Sequence, residues 1–138
     1  MPIYQLNIEA DEDFELTGIS SHQKDYRLAW AINRQMEWRL VRQTDFETKR
    51  NEQLSAFAQF TFVLPLEQTL FTLIANKSEN GMLMPELPQF DYLLKAENNP
   101  QPLDDVFYKK LKSTLFINAA FPLPVDKLKN KHVLIGQG

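Results

Sequence analysis

The clearest pattern along the chain is an alternation. From Leu54, the stretch LSAFAQFTFVL puts Leu54, Ala56, Ala58, Phe60, Phe62 and Leu64 on one face of an extended segment. Pro65 ends it, because proline has no N–H to give a neighbouring strand. The next stretch, LEQTLFTLIANKS, is apolar on both faces at Leu70, Phe71, Leu73 and Ile74, a pattern that suits an interior strand of a sheet. Asn80-Gly81 then predicts a type I′ hairpin turn. Beyond the turn, Phe90, Tyr92, Leu94 and Ala96 share one face, and Asp91, Leu93 and Lys95 the other. Two further strands are read at the N-terminus, PIYQLNI over residues 2–8, and in EWRLVRQ over residues 37–43. DFETKRNEQ reads as a polar loop.

The period changes between Ser20 and Met36. Ser20 with Gln23 three residues on has the form of a capping box. A helix from there to Met36 places Leu28, Ala29, Ile32, Met36, Tyr26 and Trp30 on a broad apolar arc, with Trp30 expected in the core. Asp25 and Asn33 fall inside that arc and need hydrogen-bond partners. A second helix is expected from Pro102, with Asp104 and Asp105 in its first turn and Lys109, Lys110 and Lys112 near its end. Leu103, Val106, Phe107 and Leu111 would face inward. LFINAAF, a short VDKLKN segment and an HVLI strand complete the chain.

These elements predict an α+β fold over residues 1–138 as one domain: a mainly antiparallel sheet with two helices packed on one face. With 138 residues and 43% hydrophobic content, the chain can bury a core without staples. It has no cysteine, which excludes disulfides, thiolate catalysis and cysteine-ligated metals. The opening residues lack a basic and then apolar leader, and no apolar run is long enough to span a bilayer, so a cytoplasmic location is expected. A net charge of -3 argues against nucleic-acid binding. The charge is uneven, however. Acids cluster at residues 9–15 and lysines at 109–131, a distribution that fits either solvated faces or self-docking in a homodimer.

No nucleophile–histidine pairing, phosphate-cradling glycine loop or metal motif is legible, so neither catalytic residues nor a metal or cofactor are assigned. The remaining chemistry is carboxylate: Glu86, Asp91 and Asp25 could converge near the bend that Pro85 and Pro88 impose. Glu86 would accept backbone N–H groups there, and Asp91 and Tyr92 would fasten the bend to the first helix. The stretch MPELPQFDY, residues 84–92, resembles the motif of the IPExxxVDY family, small bacterial proteins to which no activity is assigned. Pro85, Glu86, Asp91 and Tyr92 match its named letters, with Met84 for Ile and Phe90 for Val; residues 20–30 also look like its N-terminal helix. The resemblance implies the family but transfers no substrate or cofactor. Two functions are therefore carried forward. One is a non-enzymatic binding or adaptor module for a protein partner, acting through a sheet edge or an exposed aromatic patch. The other is a small enzyme or ligand binder using Glu86, Asp91, Tyr92 and Asp25.

Overall fold

The computed structural model describes residues 14–129 and 133–134. The strand read at residues 2–8 lies outside them. The fold is α+β, built on a six-stranded antiparallel sheet. Its strands are β1 (Phe14–Ser20), β2 (Val41–Arg42), β5 (Gln59–Leu64), β6 (Thr69–Ala75), β9 (Tyr92–Glu97) and β10 (Ala119–Leu123). Their order across the sheet is β10-β1-β9-β6-β5-β2. Two hairpins stand apart from it: β3 (Phe46–Arg50) with β4 (Gln53–Phe57), and β7 (Lys77–Ser78) with β8 (Gly81–Met82).

Strand parity separates the core into two layers. Tyr92, Leu94 and Ala96 of β9 join Ile19, Phe71 and Leu73 beneath the helices α1 (Asp25–Met36) and α2 (Asp105–Lys112), which supply Leu28, Ile32 and Leu111. On the opposite face, Leu93 meets Phe14, Leu16 and Ile74, and this layer is closed by Phe46 and Phe57 of the β3–β4 hairpin and by Leu83, Met84, Leu87 and Phe90. Both faces of the central strands β6 and β9 are thus covered, the condition that their two-sided apolar sequence calls for.

Several expectations are corrected. Ser20 ends β1 instead of capping a helix; α1 begins at Asp25 after Lys24, which makes no side-chain cap. Trp30 is 50% exposed and Tyr26 60%. At about 100° per residue these two lie roughly opposite the Leu28–Ile32 centre of the buried face, and Ala31 takes the inward place instead. Val106 is likewise exposed at 74%, and α2 starts after Asp104, whose side chain accepts from Phe107 N at 2.9 Å, not at Pro102. The run from Leu54 is two strands separated at Ala58, because β4 pairs with β3 while β5 pairs with β6 and β2; Leu54, expected on the apolar face, is exposed, and Phe57 on the other face is buried. The segment read as a polar loop holds β3, and the hairpin turn with two left-handed residues is Asn51-Glu52 (φ 51° and 65°). The β7–β8 hairpin turns through Glu79 and Asn80, with Gly81 already paired to Ser78. Of residues 37–43 only Val41 and Arg42 are strand, since Glu37 (φ 61°) closes α1. Val133 and Leu134 are helical, not extended.

Candidate functional site

Residues 84–92 form no edge strand. Leu87 N donates to Met84 O at 2.9 Å, and Phe90 N to Leu87 O at 3.2 Å, which makes two tandem four-residue turns sharing Leu87. Pro85 and Pro88 each occupy the second position of a turn, where their fixed φ is already the one required. Prolines three residues apart are therefore a signal for this double turn.

A residue that sequence reasoning missed holds the double turn in place. Asn76, fully buried just after β6, donates through Nδ2 to Leu87 O (3.0 Å) and Phe90 O (2.9 Å) and accepts through Oδ1 from Met84 N (2.7 Å). Its carboxamide thus reaches all three corners of the two turns. Its backbone completes the attachment, N to Asp91 O and O from Leu83 N, both 2.9 Å. Arg50 grips the segment leading in, donating to the carbonyls of Met82 (2.9 Å) and Leu83 (2.6 Å). The Phe90 ring lies against the backbone of β1 where Gly18 leaves room; a Cβ there would sit 2.6 Å from ring carbons.

Beyond the turns, Asp91 and Tyr92 fasten the segment to the β1–α1 connection. Asp91 Oδ2 accepts from Ser21 N (2.9 Å), and Oδ1 pairs with Lys77 Nζ (2.8 Å). The Tyr92 hydroxyl donates to Gln23 O at 2.5 Å. Burial, then the negative charges of Asp25 and Asp91, push the Tyr92 phenol up to about 12, so the hydroxyl stays protonated at neutral pH. Three of the four expected site residues therefore gather here: Asp25 and Tyr92 line an open groove of about 400 Å³ with Lys24, Arg42, Asp45 and Lys77, and Asp91 reaches it through Lys77. Glu86 is half-buried at the third position of the first turn and does not line this groove. Asn33, the other polar residue in the α1 arc, closes the helix onto the next segment, accepting from Leu40 N (2.8 Å) and donating to Leu40 O (3.3 Å).

A second surface lies on the outer side of α1. Tyr26, Trp30 and Arg34 follow one another at helical spacing, with the Arg34 guanidinium 5.2 Å from the Trp30 ring centre. Leu115, 60% exposed, shares a concavity with Trp30 and Arg34. Next to it Phe116 takes φ 78°, a left-handed conformation that costs a bulky side chain free energy, and Arg27 stacks over its ring at 5.0 Å.

Among the described residues no group of three or more His, Asp or Glu side chains could hold a metal, and no helix is long and apolar enough to cross a membrane. The chain matches no family model and no curated protein sequence.

Proposed function

We propose that the protein is a non-enzymatic binding module that engages a protein partner through the outer face of α1. The observation that carries this reading is the aromatic and arginine composition of that face: Tyr26, Trp30 and Leu115, half or more exposed, flanked by Arg27 and Arg34. Trp, Tyr and Arg are the residues that dominate binding energy at protein interfaces. The strained backbone of Phe116 beside them adds support, since such strain collects at functional surfaces. The partner's chemistry follows from the charges: an apolar anchor side chain flanked by carboxylates. A sheet edge is the weaker route, because Pro122 interrupts the donors of outer strand β10, and β2 is two residues long.

The carboxylate reading has less support. Both Asp91 oxygens and the Tyr92 hydroxyl are committed to bonds within the fold, which suits a fastening better than proton transfer. Membership of the IPExxxVDY family and a cytoplasmic location belong to the same proposal, supported by the motif at residues 84–92 and by a cysteine-free composition that fits a reducing compartment.

A peptide-display library presented to the folded chain tests the reading. Enriched peptides should carry an aromatic or aliphatic residue between acids, and Trp30→Ala and Arg34→Glu should each abolish capture while leaving the melting temperature within a few degrees. Peptides captured equally by both variants would overturn it. So would a dimer dissociated by Trp30→Ala in sedimentation, which would give the face to a second copy of the chain.

A further inference from the structure

A separate cavity of about 420 Å³ opens where the end of α1 meets the β5–β6 turn and the loop leading into α2. Its floor is aromatic: the Trp38 ring lies 4.2 Å from Phe71 and 6.2 Å from Phe107, and Phe71 and Phe107 stack with 10° between their planes. Leu64 and Leu103 add apolar wall, while Glu67, Asp104 and Lys110 supply its charged side chains. The volume falls within the range of small-molecule sites, and an apolar base with a few polar groups is their usual make-up.

The cavity is preformed. Glu15, at the start of β1, accepts from Asn99 Nδ2 (3.1 Å) and Leu103 N (2.9 Å), pinning both ends of the loop that borders it. Thr69 Oγ1 donates toward Asn98 O and Asn99 Oδ1 at 3.4 and 3.3 Å. Next to the lining residues Glu67 and Asn99, Gln68 and Asn98 take left-handed backbone (φ 60° and 59°) and are joined by Asn98 Nδ2 to Gln68 O at 3.3 Å. Two positive-φ residues held together at one opening are the kind of local strain that a binding site retains.

We propose that this cavity binds a small planar aromatic molecule bearing a cationic nitrogen. The ligand ring extends the Trp38–Phe71–Phe107 cluster by offset or edge contact. Glu67 and Asp104 attract its nitrogen; Lys110 offsets one of the two charges and leaves the opening net negative. An anionic analogue of the same shape would meet two carboxylates with a single ammonium to pair. This proposal does not depend on the α1 face.

Phenethylamine and 3-phenylpropionate, equal in ring and opposite in charge, are the probes, with the indole N–H resonances of Trp38 and Trp30 as reporters. Phenethylamine should shift Trp38 saturably and leave Trp30 in place; 3-phenylpropionate should produce no saturable shift. The double variant Glu67→Gln/Asp104→Asn keeps a capping side chain on α2 and should weaken the amine roughly fivefold or more. Equal affinity for the two probes would overturn the proposal, as would a Trp38 signal unmoved at millimolar amine, a shift confined to Trp30, or a double variant that binds like the original.

Discussion

Replacing Asn76 by Asp changes one atom of the carboxamide that joins β6 to the double turn, so it separates hydrogen-bond chemistry from packing. The three side-chain bonds are buried, and two run from Nδ2 to carbonyl oxygens. In Asn76→Ala all three vanish and leave Met84 N–H and two carbonyls without these partners. At about 1 kcal/mol net per bond, more where a buried group stays unsatisfied, the loss should be about 3 to 5 kcal/mol. In Asn76→Asp the bond from Met84 N survives, but an oxygen now faces Leu87 O and Phe90 O at the distances Nδ2 held, 3.0 and 2.9 Å. Only a protonated carboxyl can donate there, so the folded state holds this proton more tightly than the unfolded chain does. A folded carboxyl pKa raised above its unfolded value of about 3.9 means that the penalty is least at low pH and grows as pH rises through the folded value. Urea unfolding of wild type and both variants at pH 4.5 and 7.5, compared at each pH so that other groups cancel, measures this. Asn76→Asp should be least destabilised at the acid end, where its single O–H replaces one of the two bonds from Nδ2, and fall toward Asn76→Ala at the neutral end. A loss below about 1 kcal/mol in Asn76→Ala, or a pH-independent penalty in Asn76→Asp, would refute the assignment of Asn76 as the clamp of residues 84–90.

Gly18→Ala should cost about 1 to 3 kcal/mol, because its new Cβ would collide at 2.6 Å with the Phe90 ring; adding Phe90→Leu should recover part of the loss, and chemical denaturation of the single and double variants checks this. Wild-type stability should fall between about pH 10 and 12, since the Tyr92 phenol, raised from 10.0 to about 12, favours the fold fully below its unfolded value and loses that contribution as pH rises through the folded one. Alkaline melts of Tyr92→Phe should lack that part of the decline. Trp30→Ala should destabilise by less than about 1 kcal/mol, as its ring is half exposed; a loss of 3 kcal/mol or more would place it in the core after all.

How far the sequence revealed the fold depended on whether one residue's environment is set by its near neighbours. β6 and β9 were legible because strands covered on both faces carry apolar residues at adjacent positions, Leu70–Phe71 and Leu73–Ile74 in one and Leu93–Leu94 in the other, whatever lies across from them. β1 was hidden among acids: Glu15 reads as solvated until the loop at 99–103 supplies the two donors that it accepts from. The run from Leu54 kept an unbroken even alternation, and nothing local marks Ala58 as the point where the chain leaves one sheet for another; that break exists because β4 pairs with β3 outside the main sheet. Trp30 was misplaced because the apolar arc was carried round from Leu28 to the large Tyr26 and Trp30 and left out Ala31, whereas the small Ala31 marks the buried side. At the double turn both situations meet. The proline spacing is local and readable; Asp91 and Tyr92, expected to fasten the segment to the first helix, bond the β1–α1 connection ahead of it, at Ser21 and Gln23. Asn76 is not readable, because an amide after a strand looks like a turn residue until three backbone groups eight to fourteen residues away converge on it. The residue that organises the segment thus lies outside it, and substitutions confined to residues 84–92 would miss the side chain that ties their turns together.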